Sequence, residues 1–146
     1  MTRRVRTAVL VSGRGSNMMS LIEASRRPGY PADIVLVASN RPDAGGLQHA
    51  RAAGIEATAI DQLPHPDRES FERELDEALN ARGIELVCLA GFMRVLTPWF
   101  VTRWAGCLLN IHPSLLPLFR GIHTHRQAPE AGVLLHGCTV HFVIPD

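Results

Sequence analysis

Short apolar runs alternate with longer amphipathic segments along most of the chain. The apolar runs predict six buried strands, at residues 7–11, 33–39, 56–60, 85–90, 107–111 and 138–143. The intervening segments predict helices at residues 17–26, 43–53, 68–82, 98–104 and 124–131. Strands that are apolar throughout and separated by helices are typical of a mostly parallel α/β sheet covered by helices on both faces. The 146 residues suit a single domain, 1–146.

Residues that commonly cap helices refine the ends of three of these elements. Ser16 or Asn17 is expected to cap the first helix, and Asp43 the second, because their side chains can accept a hydrogen bond from the first turn. Gly54 and Gly83 are expected to end the second and third helices.

Composition narrows the class of partner. Hydrophobic residues make up 46% of the chain and charged residues 20%, which supports a buried core. The formal net charge of +1 gives no sign of a nucleic-acid partner. Apolar runs are too short to span a bilayer, so we expect no membrane association and a cytoplasmic protein.

The cysteines and histidines do not form a recognisable metal motif. Cys88, Cys107 and Cys138 are each in an apolar, strand-like context, which predicts three reduced, buried thiols. His123 and His125 are not accompanied by cysteine or carboxylate spacing of the kind that zinc requires. We therefore expect that the protein binds no metal ion.

The turn after the first strand has the composition of a phosphate-binding loop. Gly13 and Gly15 let the backbone approach an anion, and Ser16 and Asn17 add donors at a helix N-terminus. The chain contains no lysine for a P-loop, and Met18 occupies the position of the third glycine in a dinucleotide motif. A phosphate monoester therefore fits better than a pyrophosphate, although a plain strand-to-helix turn also uses glycines.

Asn110 and His112 follow the fifth predicted strand. Residues two apart on an extended segment share a face, so an amide and an imidazole would lie side by side. In acyl transfer, such groups can stabilise a developing oxyanion and accept a proton from an attacking amine. Spacing alone supports equally well a purely structural interpretation, in which Asn110 caps the end of the strand and His112 is an ordinary hydrogen-bonded residue.

Five segments, found in order at residues 11–17, 89–96, 110–117, 123–128 and 136–143, resemble the phosphoribosylglycinamide formyltransferases. The likeness extends from about Arg6 to Asp146. Asn-x-His-Pro-Ser-Leu-Leu-Pro marks the wider superfamily that uses formyltetrahydrofolate, and His-Thr-His-Arg-Gln-Ala narrows it to this branch. The resemblance implies a Rossmann-like formyltransferase fold that moves a formyl group from 10-formyltetrahydrofolate to glycinamide ribonucleotide in purine biosynthesis. The sequence leaves a monomer and a homodimer equally open.

The resemblance also implies roles for individual residues. Residues matching the ribonucleotide-phosphate site are Gly15, Ser16 and Asn17. Residues matching the folate site are Arg68, Met93, Arg94, Val95, Leu96, Asn110, Ile144, Pro145 and Asp146. Asn110 would contact the formyl oxygen, and His112 would be the acid–base group. Without the resemblance, Arg68 and Arg94 could equally be solvated or paired arginines, and Met93 and Leu96 ordinary core.

The chain departs from the family pattern in three places. Arg120 stands where many relatives have proline or lysine, and Pro129 replaces a leucine. Family members carry an aspartate two residues beyond Asp146, beside the histidine, where it favours the charged imidazole. We therefore expect a domain truncated at its C-terminus, which on its own is a poor catalyst.

Two other interpretations remain open. Within the superfamily, the chain could be a formyltetrahydrofolate hydrolase or a tRNA formyltransferase, although residues 123–128 and the near-neutral charge count against tRNA. Outside it, the chain could be a non-catalytic module that binds nucleotide phosphate, although the presence of both Asn110 and His112 counts against a degenerate site.

Overall fold

The computed structural model describes residues 4–113 and 138–142. The strands are β1 (Val5–Val11), β2 (Ala32–Ser39), β3 (Glu56–Ala59), β4 (Leu86–Ala90), β5 (Leu108–Pro113) and β6 (Cys138–Phe142). The helices are α1 (Ser16–Ser25), α2 (Gly45–Ala52), α3 (Arg68–Ala81) and α4 (Pro98–Arg103). Each predicted strand and the first four predicted helices are confirmed, with small shifts at their ends. The helix predicted at residues 124–131 lies outside the described residues.

The strands form one sheet in the order β3-β2-β1-β4-β5-β6. Neighbouring strands are parallel except for β5 and β6, which are antiparallel. Val9 and Val11 of β1 pack with α1 and α2, whereas Ala8 and Leu10 pack with α3 and α4. Alternate residues of a buried strand therefore face two separate apolar layers, and the predicted mostly parallel, Rossmann-like sheet with helices on both faces is confirmed.

The helix ends differ from the sequence prediction at two N-termini. Gly15, not Ser16 or Asn17, is the N-cap of α1, with no side-chain cap, because its φ of 82° turns the chain directly into the helix. Asp43 lies before the N-cap Ala44 of α2, with its carboxylate 3.7 Å from Arg41 Nε. Both capping predictions were wrong.

The C-terminal predictions are confirmed at Gly54 and Gly83, which follow α2 and α3 with positive φ of 79° and 63°. Asp67, which the sequence analysis missed, caps α3 by accepting a hydrogen bond from Ser70 N at 2.7 Å. Within residues 4–113 and 138–142, no helix is long and apolar enough to cross a membrane.

Candidate functional site

The carboxyl ends of β1, β4 and β5 meet at one edge of the sheet. Leu10 of β1 is in register with Leu89 of β4, which is in turn in register with Asn110 of β5. The chain leaves β1 toward β2 on one side and returns to β4 on the other, so this edge is the switch point at which open α/β sheets bind ligands.

The loop after β1 is held tightly against the start of α2. Gly46 N donates a hydrogen bond to Gly13 O at 2.9 Å. A Cβ atom on Gly15 would lie only 2.9 Å from Gly46 Cα, and the φ of 82° is itself unfavourable for other residues. Ser16 is exposed and Asn17 half-buried in the first turn of α1. The N–H groups of a first helical turn have no intrahelical acceptor, and together with the helix dipole they make the loop suitable for an anion.

Asn110 and His112 occupy alternate positions of β5. Asn110 is half-buried, and its neighbours Leu109 and Ile111 are fully packed in the layer formed by α1 and α2. Position 110 therefore faces the layer of α3 and α4, where its register partner Leu89 also packs. The backbone of His112 belongs to β5, and its side chain lies outside the described part of the molecule.

The segment between β4 and α4 carries four residues that the resemblance assigns to folate binding. Met93 and Val95 are 82% and 69% exposed, so Met93 is not a core residue. Arg94 and Leu96 are half-buried. Solvent-exposed apolar side chains of this size, alternating with inward ones, give the edge of the sheet an apolar surface that an aromatic ligand could cover.

The Arg94 guanidinium turns back into the protein. Its Nη1 donates to Gln62 Oε1 at 2.5 Å, and its central carbon lies 4.5 Å from the centroid of the Phe71 ring. Its Nε is buried and has no hydrogen-bond partner among the described residues. Arg94 therefore packs internally. It does not pair with a surface carboxylate in the described part of the chain, as the sequence alone had allowed.

Three polar residues missed by the sequence analysis connect the ends of neighbouring strands. The Ser12 hydroxyl donates to Asn40 Oδ1 at 2.6 Å, and Asn40 Nδ2 donates to Gln62 Oε1 at 3.0 Å. Met93 N donates to the Ser12 hydroxyl oxygen at 2.8 Å. We call Ser12, Asn40 and Gln62 the strand-end network. Ser12 and Asn40 directly follow β1 and β2, which was the only sequence signal for them, whereas Gln62 comes three residues after the end of β3.

Arg68 is the first residue of α3 and is exposed. The described residues therefore leave it available at the surface, as expected both for a solvated arginine and for one that reaches a ligand. Ile144, Pro145 and Asp146 lie outside the described residues, as do residues 114–137 with their serine and histidines.

A cleft of about 570 Å³ opens beside the strand-end network. Its lining residues are Asn40, Arg41, Pro42, Asp43, Asp61, Gln62, Leu63 and Met93.

Of the cysteines, Cys88 is buried and Cys107 half-buried, and both are free. Burial raises the pKa of the Cys88 thiol to about 12, so it is a core residue in protonated form.

Comparison with known proteins points to one family. A family model described as formyl transferase matches residues 5–146. The trifunctional purine biosynthetic protein adenosine-3 of Drosophila melanogaster is 52% identical over 143 residues, which cover 97% of this chain and 11% of that protein. The phosphoribosylglycinamide formyltransferase of Escherichia coli K12 is 47% identical over 138 residues, covering 94% of this chain and 65% of that enzyme. The chain thus spans less than two thirds of the length of either relative.

A solved structure supports the same relationship. The crystal structure of phosphoribosylglycinamide formyltransferase from Brucella melitensis superposes with a TM-score of 0.78 at 46% sequence identity. The superposition covers 97% of this chain and 74% of the other.

Proposed function

The chain belongs to the formyl transferase family, and from that premise we propose that it transfers a formyl group from 10-formyltetrahydrofolate to the amine of glycinamide ribonucleotide in purine biosynthesis. The observation that carries the proposal is the meeting of three features at one sheet edge. They are the glycine loop after β1, positions 110 and 112 of β5, and the exposed apolar segment after β4.

Asn110 and His112 would carry the chemistry. The amine attacks the formyl carbon, and the carbonyl oxygen becomes negative in a tetrahedral intermediate. The Asn110 amide would donate a hydrogen bond to that oxygen. His112 would take the proton that the amine loses and deliver it to N10 of the folate as the bond from the formyl carbon to N10 breaks. The products are the formylated nucleotide and tetrahydrofolate.

The phosphate of the ribonucleotide would bind at Gly15, Ser16 and Asn17. The close approach of Gly15 to Gly46 supports this assignment because it holds the loop at the N-terminus of α1, where the first-turn N–H groups have no intrahelical acceptor. An anchored phosphate would hold the amine at a fixed distance from the reacting carbon. The free energy of binding would then offset the entropy lost in orienting the two reactants.

The folate would bind along residues 93–96, with Asn110 at the formyl group, Arg68 near an acidic end, and residues 144–146 completing the site. The exposure of Met93 and Val95 supports this assignment, since apolar side chains of a binding segment must be accessible. The internal packing of Arg94 indicates that its contribution would come from its backbone and from holding the segment in shape.

An acceptor-exchange assay tests the proposal. The full-length gene product is given 10-formyltetrahydrofolate with glycinamide ribonucleotide, with methionyl-tRNA, or with water alone. We expect loss of the formyl group only with the ribonucleotide, matched mole for mole by formylated nucleotide. Equal loss in water alone would indicate a hydrolase, preference for tRNA a tRNA formyltransferase, and ribonucleotide binding without turnover a non-catalytic module.

We further propose that the protein acts on these small molecules in the cytoplasm and requires neither metal nor nucleic acid. Within the described residues, no group of three or more histidine, cysteine, aspartate or glutamate side chains is arranged to hold a metal ion. Chelation with EDTA before the assay tests the metal part of this proposal, because a metal-dependent enzyme would lose turnover.

A further inference from the structure

The strand-end network adjoins the glycine loop after β1 and the segment between β4 and α4, which are the two segments that would hold the two substrates. Ser12 is the residue immediately before the glycine loop, and its hydroxyl oxygen accepts the hydrogen bond of Met93 N at 2.8 Å. Ser12 N also donates to Gly91 O at 3.2 Å. One residue therefore contacts the backbone of the β4–α4 segment at two points while beginning the loop assigned to phosphate.

The hydrogen bonds of the network have a fixed direction. The single proton of the Ser12 hydroxyl is used on Asn40 Oδ1, so its oxygen is left to accept from Met93 N. This orients the Asn40 amide with its nitrogen toward Gln62 Oε1, which also accepts from Arg94 Nη1. Each link therefore specifies the orientation of the next, and the series ends where it began, on residues 93–94.

Burial makes these links difficult to replace. Ser12 is 3% exposed and Asn40 is 2% exposed, so water cannot readily take over a lost partner. Without the Ser12 hydroxyl, the buried Asn40 Oδ1 would lose its donor and the Met93 N–H would lose the acceptor of a partly buried hydrogen bond, which favours a different backbone conformation of the segment. Met93 and Val95 lie on the outer side of that segment and would shift with it.

From these contacts we propose that Ser12 is a positioning residue, which through Asn40 and Gln62 sets the conformation of residues 91–96 for the folate. The proposal rests on the proposed function for the identity of the ligand. Ser12 acts through the backbone of Met93 and touches no reacting atom. Its removal should weaken folate binding more than the ribonucleotide binding or the chemical step.

The test compares Ser12→Ala with Ser20→Ala in the full-length gene product. Ser20 is exposed on α1, and its hydroxyl donates to Ser16 O at 3.4 Å, within the same helix. For Ser12→Ala we expect the KM for 10-formyltetrahydrofolate to rise about tenfold, the range expected for one buried hydrogen bond, with kcat changed less than about twofold. Ser20→Ala should match the wild type. An unchanged KM, or a fall in kcat alone, would overturn the proposal.

Gln62 provides an independent pair of variants if Ser12→Ala does not fold. Gln62→Glu keeps an oxygen acceptor for Asn40 and Arg94, whereas Gln62→Met removes it with similar volume. We expect Gln62→Met to raise the KM for the folate, and Gln62→Glu to leave this KM near the wild-type value. Equal effects of the two variants would contradict a role for the acceptor.

Hydrogen–deuterium exchange separates this proposal from the proposed function. Residues 91–96 should exchange faster in Ser12→Ala than in Ser20→Ala without any substrate present. If the wild type does not transfer the formyl group to glycinamide ribonucleotide, the proposed function fails. The exchange rates would still show whether Ser12 holds residues 91–96 in their conformation. Unchanged exchange in an active Ser12→Ala variant would reject the network alone.

Discussion

The carboxylate of Glu72 on α3 accepts two hydrogen bonds from Thr97, one from its backbone N–H at 2.7 Å and one from its hydroxyl at 2.5 Å. Thr97 is the N-cap of α4, and Glu72 is completely buried. The segment at residues 91–96 is thus fixed at its far end by Glu72 and at its near end by Ser12. A rigid segment loses less conformational entropy when it binds a ligand.

Replacing Glu72 by alanine should destabilise the protein by roughly 1–3 kcal/mol, because the N–H and the hydroxyl of the half-buried Thr97 would both lose their acceptor. The matched control is Glu77→Ala, which removes an exposed carboxylate from the same helix and should change stability by less than about 0.5 kcal/mol. Urea unfolding of both variants provides the measurement. Equal shifts of the two midpoints would show that the Glu72 contact contributes nothing specific.

Gly15→Ala should disturb the proposed phosphate loop. A Cβ there would lie 2.9 Å from Gly46 Cα, at a φ of 82°. The backbone conformation alone costs roughly 1–2 kcal/mol for an alanine. We expect lower stability together with a higher KM for glycinamide ribonucleotide.

Gly13→Ala is the control for Gly15→Ala, since a Cβ on Gly13 would meet nothing within 4 Å. It should leave stability within about 0.5 kcal/mol of the wild type. If both alanine variants bind the ribonucleotide normally, the phosphate must bind elsewhere.

Cys88 should make the protein more sensitive to alkali. Its pKa is raised from 9.0 to about 12 by burial, so above pH 9 the unfolded thiol loses its proton while the folded thiol keeps it. Stability from this group is therefore complete below pH 9 and declines as pH rises toward 12. Relative to Cys88→Ala, the wild-type free energy of unfolding should fall by roughly 1.4 kcal/mol per pH unit in this range.

Denaturant unfolding of both proteins between pH 8 and 10.5 measures this difference. Other titrating groups are the same in the two proteins and cancel, and the small cavity left by alanine adds a constant offset. Parallel curves across this pH range would mean that Cys88 ionises freely in the folded state.

The sequence predicted the sheet well because its strands are buried on both faces. Continuous apolar runs such as residues 33–39 stand out against amphipathic helices, and Gly54 and Gly83 end helices for a local steric reason. Helix N-termini were predicted less well. Asp43 and Asp67 are both residues that commonly cap helices, but α2 begins at Gly45, one residue too late for Asp43, whereas α3 begins directly after Asp67.

The strand-end network could not be predicted, because its contacts join residues far apart in sequence. Ser12 and Asn40 are separated by 28 positions, and Ser12 and Met93 by 81. Hydrophobic periodicity carries no information on which polar side chains meet across strand ends. Likewise the inward turn of Arg94 depends on Phe71 and Gln62, which come from other elements.

The proposed pair on β5 is tested most directly by His112→Ala in the full-length gene product, with binding and turnover measured separately. We expect kcat for formyl transfer to glycinamide ribonucleotide to fall by about 100-fold or more, the usual range for a lost general base, while the dissociation constant for the folate changes less than about threefold. Equal losses of binding and rate, or an unchanged kcat, would contradict a role for His112 in moving the proton.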